Sequence, residues 1–106
     1  MTSARPTDVV IVSAVRTPIA TAFKGSLIGV DAVALAKTTI LAAVERSGIP
    51  AGEIEDMGFG ESMAGGGNIG RYAAIEAGLD NLPGVATQRW CASGMSGLQW
   101  VAANIA

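Results

Sequence analysis

The 106-residue sequence contains no histidine and a single cysteine, Cys91. A histidine metal cluster and a thiolate one are therefore excluded, and we predict no metal site. One cysteine cannot form an internal disulfide, which fits a reducing compartment, and we expect the cytoplasm. Because histidine is the usual general base in enzymes, a mechanism confined to this chain would lack that group.

Charge and long apolar runs are also scarce. The chain has seven Lys and Arg against nine Asp and Glu, no basic cluster, and only two Trp, two Phe and one Tyr. This composition gives a nucleic-acid partner little support. No run of about 18 apolar residues occurs, so we predict no membrane span. Residues 1–7 form an expected polar tail, without the apolar core of a secretory signal.

What the chain does contain is apolar and small. Half of the residues are hydrophobic and 14 are glycine. This composition is typical of a compact α/β unit rather than a disordered segment. So much apolar content in a short chain also predicts surface that meets other protein.

The first half of the sequence predicts a strand followed by a long helix. Asp8–Val15 is a nearly continuous β-branched run, the pattern of a strand buried on both faces. Ala32–Ser47 has apolar residues at the helical period, with Asp31 as N-cap and Gly48 as the stop signal.

The second half continues the alternation of strands and helices. We predict strands at Asp56–Met63 and Val85–Trp90, and helices at Arg71–Leu79 and Cys91–Ala106. A strand, a long helix and a second strand form a βαβ unit, which implies parallel pairing. No closing residue follows the last helix, so the chain is expected to be part of something longer.

Cys91 lies where a short β-prone run ends and a helix is predicted to begin. The unpaired N–H groups and the positive dipole end of a helix favour thiolate over thiol, and thiolate is the nucleophile. We therefore predict a nucleophilic cysteine, although a lone cysteine elsewhere is commonly inert core packing. Ser93 is assigned a capping role. Met63 and Met95 either border a ligand pocket, since methionine adapts to varied ligands, or fill the core.

Several segments carry a resemblance to one family. Four segments occur in the order found in thiolases, the acetyl-CoA C-acyltransferases: Val9–Ile19, Lys24–Leu27, Arg71–Ala74 and Cys91–Gly94. As in that family, a long helix and a glycine-rich turn lie between the second segment and the third. The resemblance covers residues 8–106. It implies the N-terminal portion of a thiolase N-terminal domain, with a mixed, mostly parallel sheet, covering helices and an incomplete C-terminus.

The resemblance also implies a reaction in fatty acid and lipid metabolism. Cys91 would take an acyl group from acyl-CoA, with its own backbone N–H in an oxyanion hole. The acyl group would pass to a second acyl-CoA in a Claisen condensation, or to CoA in the thiolytic reverse. The substrate is the coenzyme A thioester, and no further cofactor is implied. The remaining groups would come from the rest of the polypeptide or a complementary chain, in a homodimer or homotetramer, and this chain alone is expected to be inactive.

Three alternatives stay open at this point. The chain could be a non-catalytic thiolase-like fragment or an acyl-CoA-binding subunit. A β-ketoacyl synthase, which loads its acyl group from a carrier protein, shares a nucleophile at a helix start. Gly65–Gly67 could cradle phosphate, but we favour a tight turn. The chain also departs from the family at Thr87–Arg89, where many members have Val-Asn-Arg, and Trp90 is bulky.

Overall fold

The computed structural model describes residues 3–64 and 66–106. Three α-helices and two short strands lie within these ranges, together with two short 3-10 helices. The elements follow one another as α1 (Ala32–Ser47), β1 (Gly58–Gly60), α2 (Ile69–Glu76), β2 (Val85–Thr87) and α3 (Ser93–Ile105). The predicted α/β class is confirmed.

The two strands pair in parallel, with Phe59 opposite Ala86. Helix α2 connects them, so β1, α2 and β2 form a βαβ unit, the connection that parallel pairing requires. The sequence predicted such a unit one element earlier, between the first and second predicted strands. The pairing in the structure is between the second and the third.

Three glycines, Gly58, Gly60 and Gly97, let α3 lie directly against β1. A side chain at Gly58 would overlap the backbone of Gly97, and one at Gly60 would overlap the backbone nitrogen of Gly94. A Cβ at Gly97 would in turn lie 3.0 Å from the Gly58 backbone, so this close approach depends on residues without a side chain. The start of α3 is therefore fixed on the sheet.

The opposite face of β1 carries the hydrophobic core. Successive strand residues point to opposite faces, so Phe59 points away from α3, and its side chain reaches Gly70 of α2. Ala36 and Ile40 of α1 pack with Ala73 of α2 beside Phe59. Helices α2 and α3 consequently cover the two faces of the sheet, and α1 packs behind α2.

Helix α1 has the bounds that the sequence predicts. The Asp31 carboxylate accepts a hydrogen bond from the Ala34 N–H at 2.7 Å, which satisfies one of the free donors of the first turn. Gly48 ends the helix with a φ of 70°, a left-handed conformation that glycine adopts without a side-chain clash. Both predicted end signals are confirmed.

The predicted first strand is wrong for the described chain. Asp8–Val15 carries no strand, and Ile11 is 74% exposed. The segment is held to α1 by the Ser13 hydroxyl, which donates to the Ala43 carbonyl at 2.9 Å. A β-branched run forms a strand only beside a partner strand, and in residues 3–64 and 66–106 the single sheet contains only β1 and β2.

Other boundaries differ by a few residues. The strand predicted at Asp56–Met63 is reduced to β1, and the one at Val85–Trp90 is reduced to β2, because Gln88 already belongs to a turn. The helix predicted at Arg71–Leu79 starts two residues earlier, after the cap Asn68, and ends at Glu76.

The N-terminal residues 3–7, the described part of the predicted tail, are exposed, whereas Met1 and Thr2 lie outside the described residues. Within the described ranges, every helix falls short of the length and apolar content needed to cross a bilayer.

Candidate active site

Cys91 lies in the connection between β2 and α3. The strand ends at Thr87, a 3-10 helix covers Trp90–Ala92, and α3 begins at Ser93. The cysteine is in the middle of the 3-10 helix, two residues before α3, and its thiol is free and exposed. The structure therefore places the predicted nucleophile in a strand–turn–helix connection and open to an approaching reactant, two features that a nucleophilic role needs.

A buried hydroxyl organises this turn. Ser93 accepts a hydrogen bond from the Arg89 N–H at 2.9 Å, and its oxygen lies 2.6 Å from the Trp90 carbonyl, to which it can donate. The Thr87 hydroxyl in turn donates to the Ser93 carbonyl at 2.7 Å. The role predicted for Ser93 thus takes a different form, because the side chain bonds the turn before the helix instead of the N–H groups of its first turn.

Gln88 connects the same turn to a second loop. Its side-chain oxygen accepts the Trp90 N–H at 2.7 Å, and its side-chain NH2 group donates to the Ser62 carbonyl at 2.6 Å. Sequence reasoning singled out this position only as a departure from the family pattern. Long-range bonds of a surface glutamine leave no periodic signal in a sequence, so the role could not be found there.

Trp90 has an unusual backbone for a bulky residue. Its φ is 49°, in the left-handed region that glycine, asparagine and aspartate populate most readily. Its side chain is 68% exposed. The two hydrogen bonds described above, to the Gln88 side chain and from the Ser93 hydroxyl, hold its N–H and its carbonyl in this conformation.

The two methionines predicted near the site are both on the surface. Met63 is 84% exposed and Met95 is 60% exposed, so neither fills the core of the described chain. An open groove of about 400 Å³ borders the Cys91 turn and is lined by Thr87, Gln88, Arg89, Ser96, Gln99 and Trp100. An acyl pocket bordered by Met63 and Met95 stays a prediction.

A carboxylate of the chain itself occupies the helix start that follows the glycine-rich turn. Of Gly65–Gly67, Gly65 lies outside the described residues, and the other two have φ values of 65° and 91°. The Glu61 carboxylate accepts the Ile69 N–H at 2.5 Å, at the start of α2. A carboxylate at this helix end would repel a phosphate, which favours the tight-turn interpretation over the phosphate cradle.

Comparison with known proteins identifies the family of this chain. Residues 9–106 match the family described as "Thiolase, N-terminal domain". The chain belongs to the thiolase family. The resemblance described above is thereby confirmed over nearly all of the sequence. Of the two families considered, thiolase and β-ketoacyl synthase, the match supports thiolase.

Similar thiolases come from bacteria and vertebrates. A "Probable acetyl-CoA acetyltransferase" of Escherichia coli is 38% identical over 94 residues, which cover 86% of this chain and 24% of the relative. The mitochondrial acetyl-CoA acetyltransferase of Xenopus tropicalis is 41% identical over 92% of this chain and 24% of its own length. The mitochondrial enzyme of Danio rerio is 42% identical, with 91% and 24% covered. The chain spans about a quarter of the length of these relatives.

Proposed function

We propose that this chain is the nucleophile-bearing part of a thiolase-type acyltransferase that acts on acyl-CoA. The Cys91 thiolate attacks the thioester carbonyl, the new S–C bond forms, and CoA leaves as a thiolate that takes up a proton. A second acyl-CoA, deprotonated next to its carbonyl, then attacks the acyl-cysteine and regenerates the Cys91 thiolate. In the reverse direction, a 3-ketoacyl-CoA is cleaved by CoA.

The exposed thiol of Cys91 at the β2–α3 connection carries this proposal. It is the only thiol in the chain, and it lies inside the matched thiolase domain. The first turn of α3 offers backbone N–H groups next to it, the type of donor that stabilises a developing oxyanion. Small residues follow the cysteine in the sequence, Ala92 and Gly94 among them, and these leave room for a thioester.

The rest of the reaction needs groups from outside this chain. The sequence has no histidine, so the general base would come from the remaining thiolase polypeptide or from a complementary chain. A homodimer or homotetramer would cover exposed apolar residues. The relatives' names point to acetyl-CoA as the substrate, and no cofactor beyond the CoA thioester is proposed. The single cysteine supports a cytoplasmic location, although several relatives are named as mitochondrial.

A second candidate function is acyl-CoA binding without turnover. The lack of histidine in the sequence is the observation that favours it. The thiolase-type chain would then bind an acyl-CoA or a partner subunit and leave the Cys91 thiol unacylated.

Incubation with acetyl-CoA separates the two candidates. The preparation, with every polypeptide it contains, is treated and analysed by denaturing intact-mass spectrometry. We expect one acetyl group on this chain, absent from Cys91→Ala and retained in Ser3→Ala, an exposed serine of the N-terminal tail that serves as the control. Acetyl-CoA that binds without modifying the chain would support the non-catalytic candidate. Acetylation from a carrier-protein thioester but not from acetyl-CoA would contradict the thiolase assignment of the donor.

A further inference from the structure

The backbone immediately before Cys91 is held in a conformation that its side chain does not favour. A bulky residue in the left-handed region is an outlier that persists only where its surroundings fix it. Trp90 is fixed on both sides, through its N–H by Gln88 and through its carbonyl by Ser93. Since the φ and ψ of Trp90 decide where the next residue points, this clamp sets the position of the Cys91 thiol.

One half of the clamp reaches beyond the turn. Gln88 bonds Trp90 with its oxygen and the Ser62 carbonyl with its NH2 group, so a single amide joins the nucleophile turn to the loop that follows β1. The other half is local, because Ser93 bonds only residues of its own turn. Gln88 is thus the one described side chain that links the Cys91 turn to the Ser62 loop by hydrogen bonds on both.

We propose that Gln88 is a positioning residue for the Cys91 nucleophile, acting through the left-handed backbone of Trp90. The proposal rests on the proposed role of Cys91. When the Gln88 amide is lost, the Trp90 N–H loses its acceptor and the backbone is free to relax to negative φ. The Cys91 thiol then leaves the position that this clamp gives it in the turn before α3.

The first test replaces Gln88 by methionine, which has a similar length but no strong hydrogen-bonding group. The control is Glu45→Met, which makes a similar replacement of a long polar side chain at an exposed position of α1, away from the Cys91 turn. Because Cys91 is the only thiol, its alkylation by iodoacetamide can be followed in the intact protein. We expect Gln88→Met to change the rate of alkylation by about twofold or more, because the reactivity of a thiol depends on its local surroundings and access. Glu45→Met should not change it.

Acetyl transfer should be more sensitive than alkylation, because it requires a defined geometry. We expect Gln88→Met to lower the rate of Cys91 acetylation by acetyl-CoA about 10- to 100-fold, as misplacement of a reacting group by about 1 Å does. Urea unfolding of each variant serves as the control for folding. A lower unfolding midpoint with unchanged alkylation would show that Gln88 only stabilises the fold, and would overturn the proposal.

A double-mutant cycle tests the route through Trp90. Glycine adopts a positive φ without a side-chain penalty, so a Trp90→Gly chain has less need of the clamp. We expect the alkylation effect of Gln88→Met to shrink to within error in the Trp90→Gly background. Equal effects in both backgrounds would mean that Gln88 does not act through Trp90.

The two proposals can fail separately. If acetyl-CoA never modifies Cys91 in the natural sequence, the proposed acyltransferase function fails, while the alkylation cycle still decides whether Gln88 positions the thiol. If acetylation occurs but the cycle shows no coupling, the function stands and the positioning role is overturned.

Discussion

The N-terminal segment 8–30 and the β2–α3 connection both carry the family pattern, yet they differ in what holds them. In the N-terminal segment, a nearly continuous β-branched run is mostly exposed and forms no strand, and one described hydrogen bond, from the Ser13 hydroxyl to the Ala43 carbonyl, joins it to α1. At the β2–α3 connection, close glycine contacts hold the start of α3 on β1, and hydrogen bonds of Thr87, Gln88 and Ser93 hold the turn that carries Cys91. Elements that follow one another in the sequence can make their contacts within this chain, whereas the β-branched N-terminal run forms a strand only beside a partner strand.

The largest difference in the free energy of unfolding is expected between isoleucine substitutions in α1 and in the N-terminal segment. Ile40 of α1 is 8% exposed and packs in the core, whereas Ile11 of the N-terminal segment is exposed. We expect Ile40→Ala to lower the free energy of unfolding by about 2–5 kcal/mol through the lost burial and the cavity. Ile11→Ala should change it by less than about 0.5 kcal/mol. Urea unfolding followed by far-UV circular dichroism measures both.

The isoleucine pair can also contradict the comparison. If Ile11→Ala costs as much as Ile40→Ala, the N-terminal segment must be buried in the protein in solution, through pairing with another chain or another copy. Repeating the measurement over a range of protein concentrations would separate these cases, since only an assembled state is stabilised by higher concentration.

The next prediction compares two glycines. Alanine at Gly60 would overlap the backbone of Gly94 at the start of α3, whereas nothing lies within 4 Å of a side chain built at Gly29 in the N-terminal segment. We expect Gly60→Ala to destabilise the chain by about 1–3 kcal/mol, because the helix must move off the sheet. Gly29→Ala should lie within about 0.5 kcal/mol of the natural chain.

Because Gly60 contacts the start of α3, the helix that follows Cys91, its substitution should also change the environment of the Cys91 thiol. We expect Gly60→Ala to slow the alkylation of Cys91, and Gly29→Ala to leave it unchanged. Normal alkylation in a destabilised Gly60→Ala chain would show that the Cys91 turn keeps its geometry without the close contact, and that the hydrogen bonds of Ser93 and Gln88 suffice.

The same comparison explains what the sequence could predict. Helix α1 was predicted to the residue, because its period, its cap Asp31 and its stop Gly48 are local signals. The placement of Cys91 between a strand and a helix was also predictable, from a β-prone run followed by small residues. The lack of a strand at Asp8–Val15 could not be predicted from that segment, because pairing depends on another strand. The clamp by Gln88 could not be predicted either, because it depends on a loop 26 residues away in sequence.

The smallest expected effect lies at Asp31, where the N-terminal segment meets α1. Asp31→Ala removes the acceptor of the Ala34 N–H, and we expect a loss of about 1 kcal/mol in the free energy of unfolding. Asp31→Asn keeps a side-chain oxygen and should cost only about 0.3 kcal/mol, the charge interaction with the helix end. The midpoints of urea unfolding at low ionic strength measure both losses of stability. If asparagine costs as much as alanine, the charge and not the hydrogen bond stabilises the start of α1, and added salt should then reduce the loss for both variants. If neither substitution has an effect, this boundary frays as freely as the exposed segment before it, and the ordered region of the chain begins inside α1.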